Sequence, residues 1–430
     1  MRVLIYTYGT RGDVQPFLAL CQALHAAGHT ALLRVPADHL ALAARHGVDA
    51  AGLDAGPNRF LDDPRFLRAF TETGQAASYP RSLAVLLRIM GEARPAMLRV
   101  LRDMAATADP NAEVVVHPPN LPGDHIAEWL GVPAVPVALQ PVWAPTRRFA
   151  NPLLPVHRLP GNLNRDSYNL TTVALRAFTG ITTTWRRNIL GLAARPGEPD
   201  PLRRRDGSRA PLLHAFSRHV LPQPLDYPSW VHTTGYWFLP AEQTGQPPTE
   251  LTEFLAAGSP PVFVSFGSLP TAEPGQMGRM VCQALQRCGV RAVVATGRGG
   301  IEIPAPGSEV LVLSEVPHDW LFPQLAAIVH HGGAGTTAAA AAAGVPQVVC
   351  PFQVEQQFWA RRMYAAGVAP QPLPGRHITA KRLTAAIQWA VHQSSARRRA
   401  RELSGRLRAE DGPGAAVAVL ASEVQRAQQR

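Results

Sequence analysis

The chain has 430 residues, 46% hydrophobic and 17% charged, a balance that suits two globular domains and excludes a disordered chain. Its formal charge of +11 comes almost wholly from arginine, Lys381 being the single lysine. The arginines scatter, apart from Arg203-Arg204-Arg205 and the tail from Arg397 to Arg408, so a nucleic-acid groove of clustered cations and aromatics is not indicated.

In chain order, the first predicted strand is Val3 to Tyr8, which runs into Gly9-Thr10-Arg11-Gly12-Asp13. An opening run of this kind reads as a strand and not as a secretion signal. Phe17, Leu20, Cys21 and Leu24 then fall at helical spacing, with Gly28 as the stop. Further strands are expected near 30–35, 113–117 and 134–139. Between them, residues 57–105 carry helical apolar spacing (Phe60, Phe66, Leu67, Phe70, Leu83, Leu86, Leu87, Met90). Residues 140–170 read as loop, with Trp143, Phe149 and Tyr168. A stretch rich in Pro, Gly and Thr over 239–260 reads as a linker.

The second half repeats the opening of the first: Val262 to Phe266, then Gly267-Ser268, then helical spacing from Met277 to Leu285 with Gly289 as the stop. Strands are expected near 291–296, 310–313, 326–331 and 347–350. Strand–helix alternation with short connections predicts an α/β chain of two doubly wound parallel sheets. The expected division is a first domain over 1–238, the linker, a second domain over 261–410 and a terminal helix or tail over 411–430. Ligands are expected in the cleft outside the carboxyl ends of the strands. Cys21, Cys282, Cys288 and Cys350 lack CxxC spacing and read as buried thiols of a reducing compartment. No apolar run approaches the roughly 18 residues of a membrane helix, so a cytoplasmic protein without stable membrane insertion is expected.

The most informative stretch is Ile328-Val329-His330-His331-Gly332-Gly333-Ala334-Gly335-Thr336-Thr337, followed by alanines to Ala343 and then Gly344-Val345-Pro346. It reads as a strand, a glycine turn and a helix of very small residues. Glycines let backbone N–H groups approach an anion, and a helix start adds free donors and positive dipole potential. A diphosphate suits such a place. No acidic cluster suggests a metal, and none is expected.

The run from Glu315 to Ala366 resembles the nucleotide-sugar box of family 1 glycosyltransferases, in their bacterial natural-product and sterol branch. The residues that carry the likeness are Val316-Pro317-His318-Asp319-Trp320 before the glycine turn and Pro351-Phe352-Gln353-Val354-Glu355-Gln356 after it. Gly9-Thr10-Arg11-Gly12-Asp13-Val14-Gln15-Pro16 resembles that branch's opening loop. The resemblance implies the GT-B fold. It implies His331, Gly333, Gly335 and Thr336 against the diphosphate, with Ser268 on the same phosphates and Thr10 among the donor contacts. Backbone near Val316 would meet the base, and Trp320 would lie close by or anchor the core beneath. Glu355 and Gln356 would hydrogen-bond the sugar. Ala339 stands where other members carry a ribose-binding glutamate, which leaves UDP and dTDP donors undecided.

In this reading Asp13 is the general base that takes the acceptor hydroxyl proton, although Asp-x-x-Pro also suits a plain helix start. A lone aspartate, with a pKa of about 3.9, is a feeble base unless burial raises it. His117, at the end of the strand near 117, is the expected neighbour of Asp13, with His125 as its competitor. The function implied is inverting transfer of a hexose or deoxyhexose from a UDP- or dTDP-sugar to a hydroxyl of a lipophilic polyketide, macrolide or sterol-like aglycone, without cofactor or nucleic-acid partner. A nucleotide-sugar 2-epimerase of the same fold and a non-catalytic partner protein are the alternatives.

Overall fold

The structure is a computed structural model that describes residues 1–72, 78–156, 158–176, 179–195, 200–240, 247–267, 273–297, 301–303 and 306–429. Short runs of β-branched and aliphatic residues become strands covered on both faces, as a parallel sheet requires. The first sheet uses β1 (Arg2–Tyr6), β2 (Thr30–Pro36), β3 (Ala50–Leu53), β4 (Val114–His117), β5 (Ala134–Ala138), β6 (Leu212–His214) and β7 (Val231–Thr233). The second uses β8 (Val262–Ser265), β9 (Ala292–Ala295), β10 (Val310–Leu313), β11 (Ala327–His330) and β12 (Gln347–Val349). Among the described residues the pairings between these strands are parallel, and β4, β8, β9, β11 and β12 are buried at every position.

The sheet orders are β3-β2-β1-β4-β5-β6-β7 and β10-β9-β8-β11-β12. Each order reverses at one place, between β1 and β4 and between β8 and β11, and a doubly wound sheet leaves a crevice at that place. The loops that follow β1, β4, β8 and β11 are therefore the ones that meet a ligand. This is the expected architecture of two Rossmann-like domains.

The strands β3, β6 and β7 are additions to what the sequence announces. Ala50-Ala51-Gly52-Leu53 has poor strand propensity, and β6 and β7 have three residues each. Their conformation comes from pairing with β2 and β5 rather than from local preference. The segment 239–260 is also not all linker. Thr249–Ala256 is helical, and Leu251, Phe254 and Leu255 pack into the second domain's core, with Leu251 fully buried.

The chain crosses back at the end. Helix Gly412–Gln428 places Ala416, Leu420 and Val424 in the core of the first domain, beside Phe17 and Trp237. The two crossings touch where no side chain fits: a Cβ on Gly412 would stand 2.6 Å from the Tyr236 carbonyl oxygen and 2.9 Å from that of Gly235. An aromatic seam joins the domains, with Phe149 and Phe358 centroids 4.9 Å apart and Phe216 and Trp359 6.3 Å apart. The Arg362 guanidinium donates to the Val220 carbonyl at 2.7 Å beside it. Phe149 and Tyr168, from the segment read as loop, are buried in this seam. The apolar helices expected over 57–105 form as Pro64–Glu72, Tyr79–Glu92 and Arg94–Ala106. The side chains of Phe60, Leu67, Phe70 and Met90 lie outside the described ones. No described helix is long and apolar enough to cross a membrane.

Gly412→Ala forces a methyl group against two backbone carbonyls. The expected cost is about 1–3 kcal/mol, read as a lowered midpoint in chemical or thermal unfolding.

Candidate active site

The second-domain half is built around the end of β11. His330 is fully buried; its Nδ1 accepts the Gly332 N–H at 3.1 Å, so its Nε2–H donates to Gln347 Oε1 at 2.9 Å. That relay ties the glycine turn to β12. Gly332 has φ +90°, and a Cβ there would meet Val349 at 2.9 Å, so the turn admits only glycine. His331 next to it lies between two more glycines. A Cβ on Gly267 would fall 2.6 Å from its Cε1, and one on Gly333 2.4 Å from its Nε2. Burial, then the neighbouring His330 and His318, push its pKa down to about 3, so the ring is a neutral imidazole. Its Nδ1 is buried without a partner.

Helix Ala334–Ala343 starts at Gly333 with no side-chain cap. Its first backbone bond runs from Thr337 N–H to Gly333 O at 2.9 Å, which leaves the N–H groups of Ala334, Gly335 and Thr336 without helical acceptors. Gly335 opens onto free space. At the other end the Ser404 hydroxyl and the Arg408 guanidinium donate to the Ala342 carbonyl at 2.6 and 3.1 Å, placing a cation at the negative pole. Neutral imidazole and uncapped N–H groups together make an anion cradle. Ser268, expected on the same phosphates, lies outside the described residues. Val316 and Trp320 are partly buried against the core of Phe263, Leu321 and Phe322.

Helix Val354–Ala365 carries the expected acid–amide pair. The Gln356 carbonyl oxygen accepts the N–H groups of Phe352 and Gln353 at 2.8 and 3.2 Å, so that oxygen caps the helix and leaves only the amide N–H pair for other work. Glu355 is different. The Trp359 indole N–H donates to its Oε1 at 3.0 Å. Its pKa is raised to about 7, chiefly by burial and then by the negative charge of Asp13, against the bonds from Trp359 and from Gln140 of the first domain.

Asp13 thus acts on Glu355 from the opposite domain. Its Oδ2 accepts the Thr10 N–H at 2.8 Å and the Thr10 hydroxyl at 2.9 Å. Asp13 therefore caps helix Arg11–Ala26, and Gly9, with φ +131°, gives way to it: a Cβ there would stand 2.4 Å from Oδ2. The Gly9 carbonyl is in turn held by His39 and Asn58, both at 3.2 Å. Burial pushes the Asp13 carboxyl above the ordinary range, against the two Thr10 bonds and the His39 charge. Beside it, Arg11 reaches Glu315 of the second domain at 3.7 Å.

His117 takes a place apart. Its Nδ1 lies 2.9 Å from the Leu121 carbonyl and 3.0 Å from that of Pro118, its Nε2 is buried without a partner, and Gly123 presses on its ring. Burial lowers its pKa; the charges acting on it are Asp124 and Arg195, whereas the charge acting on Asp13 is His39, and the charge of Asp13 itself acts on Glu355. The hydrogen bonds of His117 thus go to local carbonyls and not to Asp13, whose charge is felt at Glu355 instead. His125 accepts from Arg186 at 3.0 Å, within an ion-pair group of Arg186, Arg195, Asp124 and Glu128. Sequence reasoning missed Trp359, Gln140 and His330; only Trp359, one turn after Glu355, left a spacing that announces a contact. Among the described residues no group of three His, Cys, Asp or Glu is placed to hold a metal ion.

Two facing Rossmann-like domains, with the anion cradle at the second switch point, define a GT-B glycosyltransferase. The chain belongs to that family: residues 3–89 match the glycosyltransferase family 28 N-terminal domain, and residues 294–422 the erythromycin biosynthesis protein CIII-like C-terminal domain. It is 31% identical over 442 residues to a sterol 3-beta-glucosyltransferase of Aspergillus clavatus, covering 99% of this chain and 30% of that protein. It is 32% identical over 428 residues to that of Arabidopsis thaliana, covering 97% and 64%. The chain thus spans less than two thirds of the length of these relatives. Among solved structures, spinosyn forosaminyltransferase SpnP superposes with a TM-score of 0.66 at 17% identity, covering 99% of each chain. Glycosyltransferase VinC in complex with dTDP superposes with 0.68 at 19% identity, covering 99% and 100%. These two establish the fold.

Two outcomes test this geometry. Gly333→Ala pushes His331 aside and should weaken nucleotide diphosphate binding about ten-fold or more, the worth of one hydrogen bond to a charged group, by calorimetry. Glu355 keeps its proton to about pH 7 when folded and to 4.5 when exposed, so its ionisation costs stability as pH rises between those values. Glu355→Gln should therefore melt higher than the native chain at pH 8, by at most about 3 kcal/mol, and melt alike at pH 5.

Proposed function

We propose that the chain transfers a hexose or deoxyhexose from a UDP- or dTDP-sugar to a hydroxyl of a lipophilic acceptor, with inversion at the anomeric carbon. The observation that supports the reading is that the charge of Asp13, in the first domain, acts on Glu355 in the second, whose helix Ala334–Ala343 begins uncapped next to His331. The diphosphate lies against the N–H groups of Ala334, Gly335 and Thr336 and the neutral imidazole of His331, its charge met by backbone dipoles and not by a metal. Glu355 and the Gln356 amide N–H pair hold the sugar hydroxyls.

As the acceptor oxygen attacks the anomeric carbon, its proton passes to the Asp13 oxygen that Thr10 does not engage. The bond from that carbon to the diphosphate oxygen breaks, and the electron pair leaves with the diphosphate. A carboxyl raised by burial is a better base than an exposed one. The activities named for the fungal and plant relatives, which are sterol glucosyltransferases, and for structural neighbours such as spinosyn forosaminyltransferase support a lipophilic acceptor.

Asp13→Asn tests the base, because an amide oxygen still accepts the Thr10 N–H and spares the helix cap. Turnover on any accepted donor and acceptor should fall by roughly 10²–10⁴-fold with donor affinity nearly kept; unchanged turnover removes Asp13 from the role. His331→Ala should cost roughly 10²–10³-fold in turnover and weaken bare nucleotide diphosphate as well. Incubation with donor alone should leave the sugar unepimerised.

A further inference from the structure

We propose that Trp359 is a positioning residue for donor recognition: its indole N–H fixes the Glu355 carboxyl in the sugar subsite and couples that carboxyl to the seam between the domains. The inference rests on the reading of Glu355 as a sugar contact. It starts from a single hydrogen bond, Trp359 Nε1–H to Glu355 Oε1 at 3.0 Å, one helical turn apart. An indole nitrogen is a donor only, so it can engage Glu355 only through a lone pair of one carboxyl oxygen. With an Oε1 lone pair taken by the indole, the carboxyl is held from its own helix, while Gln140 and the charge of Asp13, both of the first domain, act on it from across the domains.

The tryptophan has no freedom of its own. It is fully buried, edge-on to Phe358 at 5.1 Å and to Phe216 of the first domain at 6.3 Å. Phe358 packs on Phe149, also of the first domain, at 4.9 Å. The orientation of the sugar-binding acid is thus set by aromatic packing across both domains, and a change in their separation would be felt at Glu355 through the indole. The groups facing Glu355 are Trp359 on its own helix and Gln140 and Asp13 across the gap, and Asp13 is the charged one. Loss of the indole N–H removes one of the two contacts that favour the ionised carboxylate.

Trp359→Phe keeps an aromatic ring in the seam and deletes the N–H. The readouts are calorimetric affinities for UDP-glucose and dTDP-glucose, and for bare UDP and dTDP, between pH 6 and 8.5, with a thermal melt to confirm folding. Affinity for the sugar nucleotide that binds should fall roughly ten-fold, bare nucleotide diphosphate should bind as before, and the pH midpoint of sugar-nucleotide binding should move to higher pH. In a Glu355→Gln background the same substitution should add little. A purely structural tryptophan would weaken both ligands alike with no shift in midpoint, and that result overturns the proposal. If Glu355→Gln alone leaves sugar-nucleotide affinity unchanged, the reading of Glu355 fails first; if Glu355→Gln weakens it and Trp359→Phe does not, only the present inference fails. Should Trp359→Phe not fold, β-(3-benzothienyl)alanine at 359, which keeps the bicyclic ring and replaces N–H by sulfur, gives the same discrimination.

Discussion

The gap between the domains is ruled by the cost of taking charge out of water. Desolvation pushes His318, His330 and His331 to about 4, 4 and 3, so the three imidazoles around the glycine turn are neutral at any ordinary pH. Glu355 on the same domain and Asp13 on the facing one are raised by the same cause. A pocket that contained formal cations would gain more from an anion but would also have to keep those cations desolvated while empty. Here the attraction comes from N–H groups already aimed by a helix start, which need no reorganisation when the ligand arrives.

The same economy explains the glycines. Gly267 and Gly333 lack the side chains that would displace His331, and Gly332 lies where Val349 and the Gln356 backbone leave no room for a Cβ. Each glycine therefore sets the position of a polar group and not merely the path of a loop. The relay from Gly332 through His330 to Gln347 then fastens the turn to the sheet. The alanine helix behind it fits because small side chains let Ser404 and Arg408 of the neighbouring helix reach its last carbonyls. Packing and anion binding are thus two consequences of the same small residues, and choosing between them would be a false choice.

How much of this was legible depended on the kind of signal. Periodicity and stops located β1, β2 and β8 to β12, and the glycine turn with His331 followed from residue types alone. Strands β3, β6 and β7 were hidden because their conformation is borrowed from neighbours, and helix Thr249–Ala256 because prolines on either side of it read as linker. The base loop was legible, but the partner of Asp13 was not. His117 is fixed by carbonyls only four residues away or fewer, whereas Glu355 comes from the other domain, some 340 positions later, and no local pattern announces that meeting. The burial of Phe149 and Tyr168 was hidden for the same reason: an apolar loop residue looks alike whether it faces a ligand or a second domain.

That Asp13 caps a helix and faces a gap is not a conflict between a structural and a chemical role. Two Thr10 bonds on Oδ2 hold the carboxyl in one rotamer and pull its pKa down, while burial opposes ionisation. A carboxyl with one oxygen engaged is oriented, and a carboxyl kept from water is basic; a base needs both. In the proposed role the cap would supply the orientation that a third group gives in catalytic triads, and burial the desolvation. Glu355 is treated in the same way by Trp359, so each acid has one oxygen engaged from its own helix or that helix's cap.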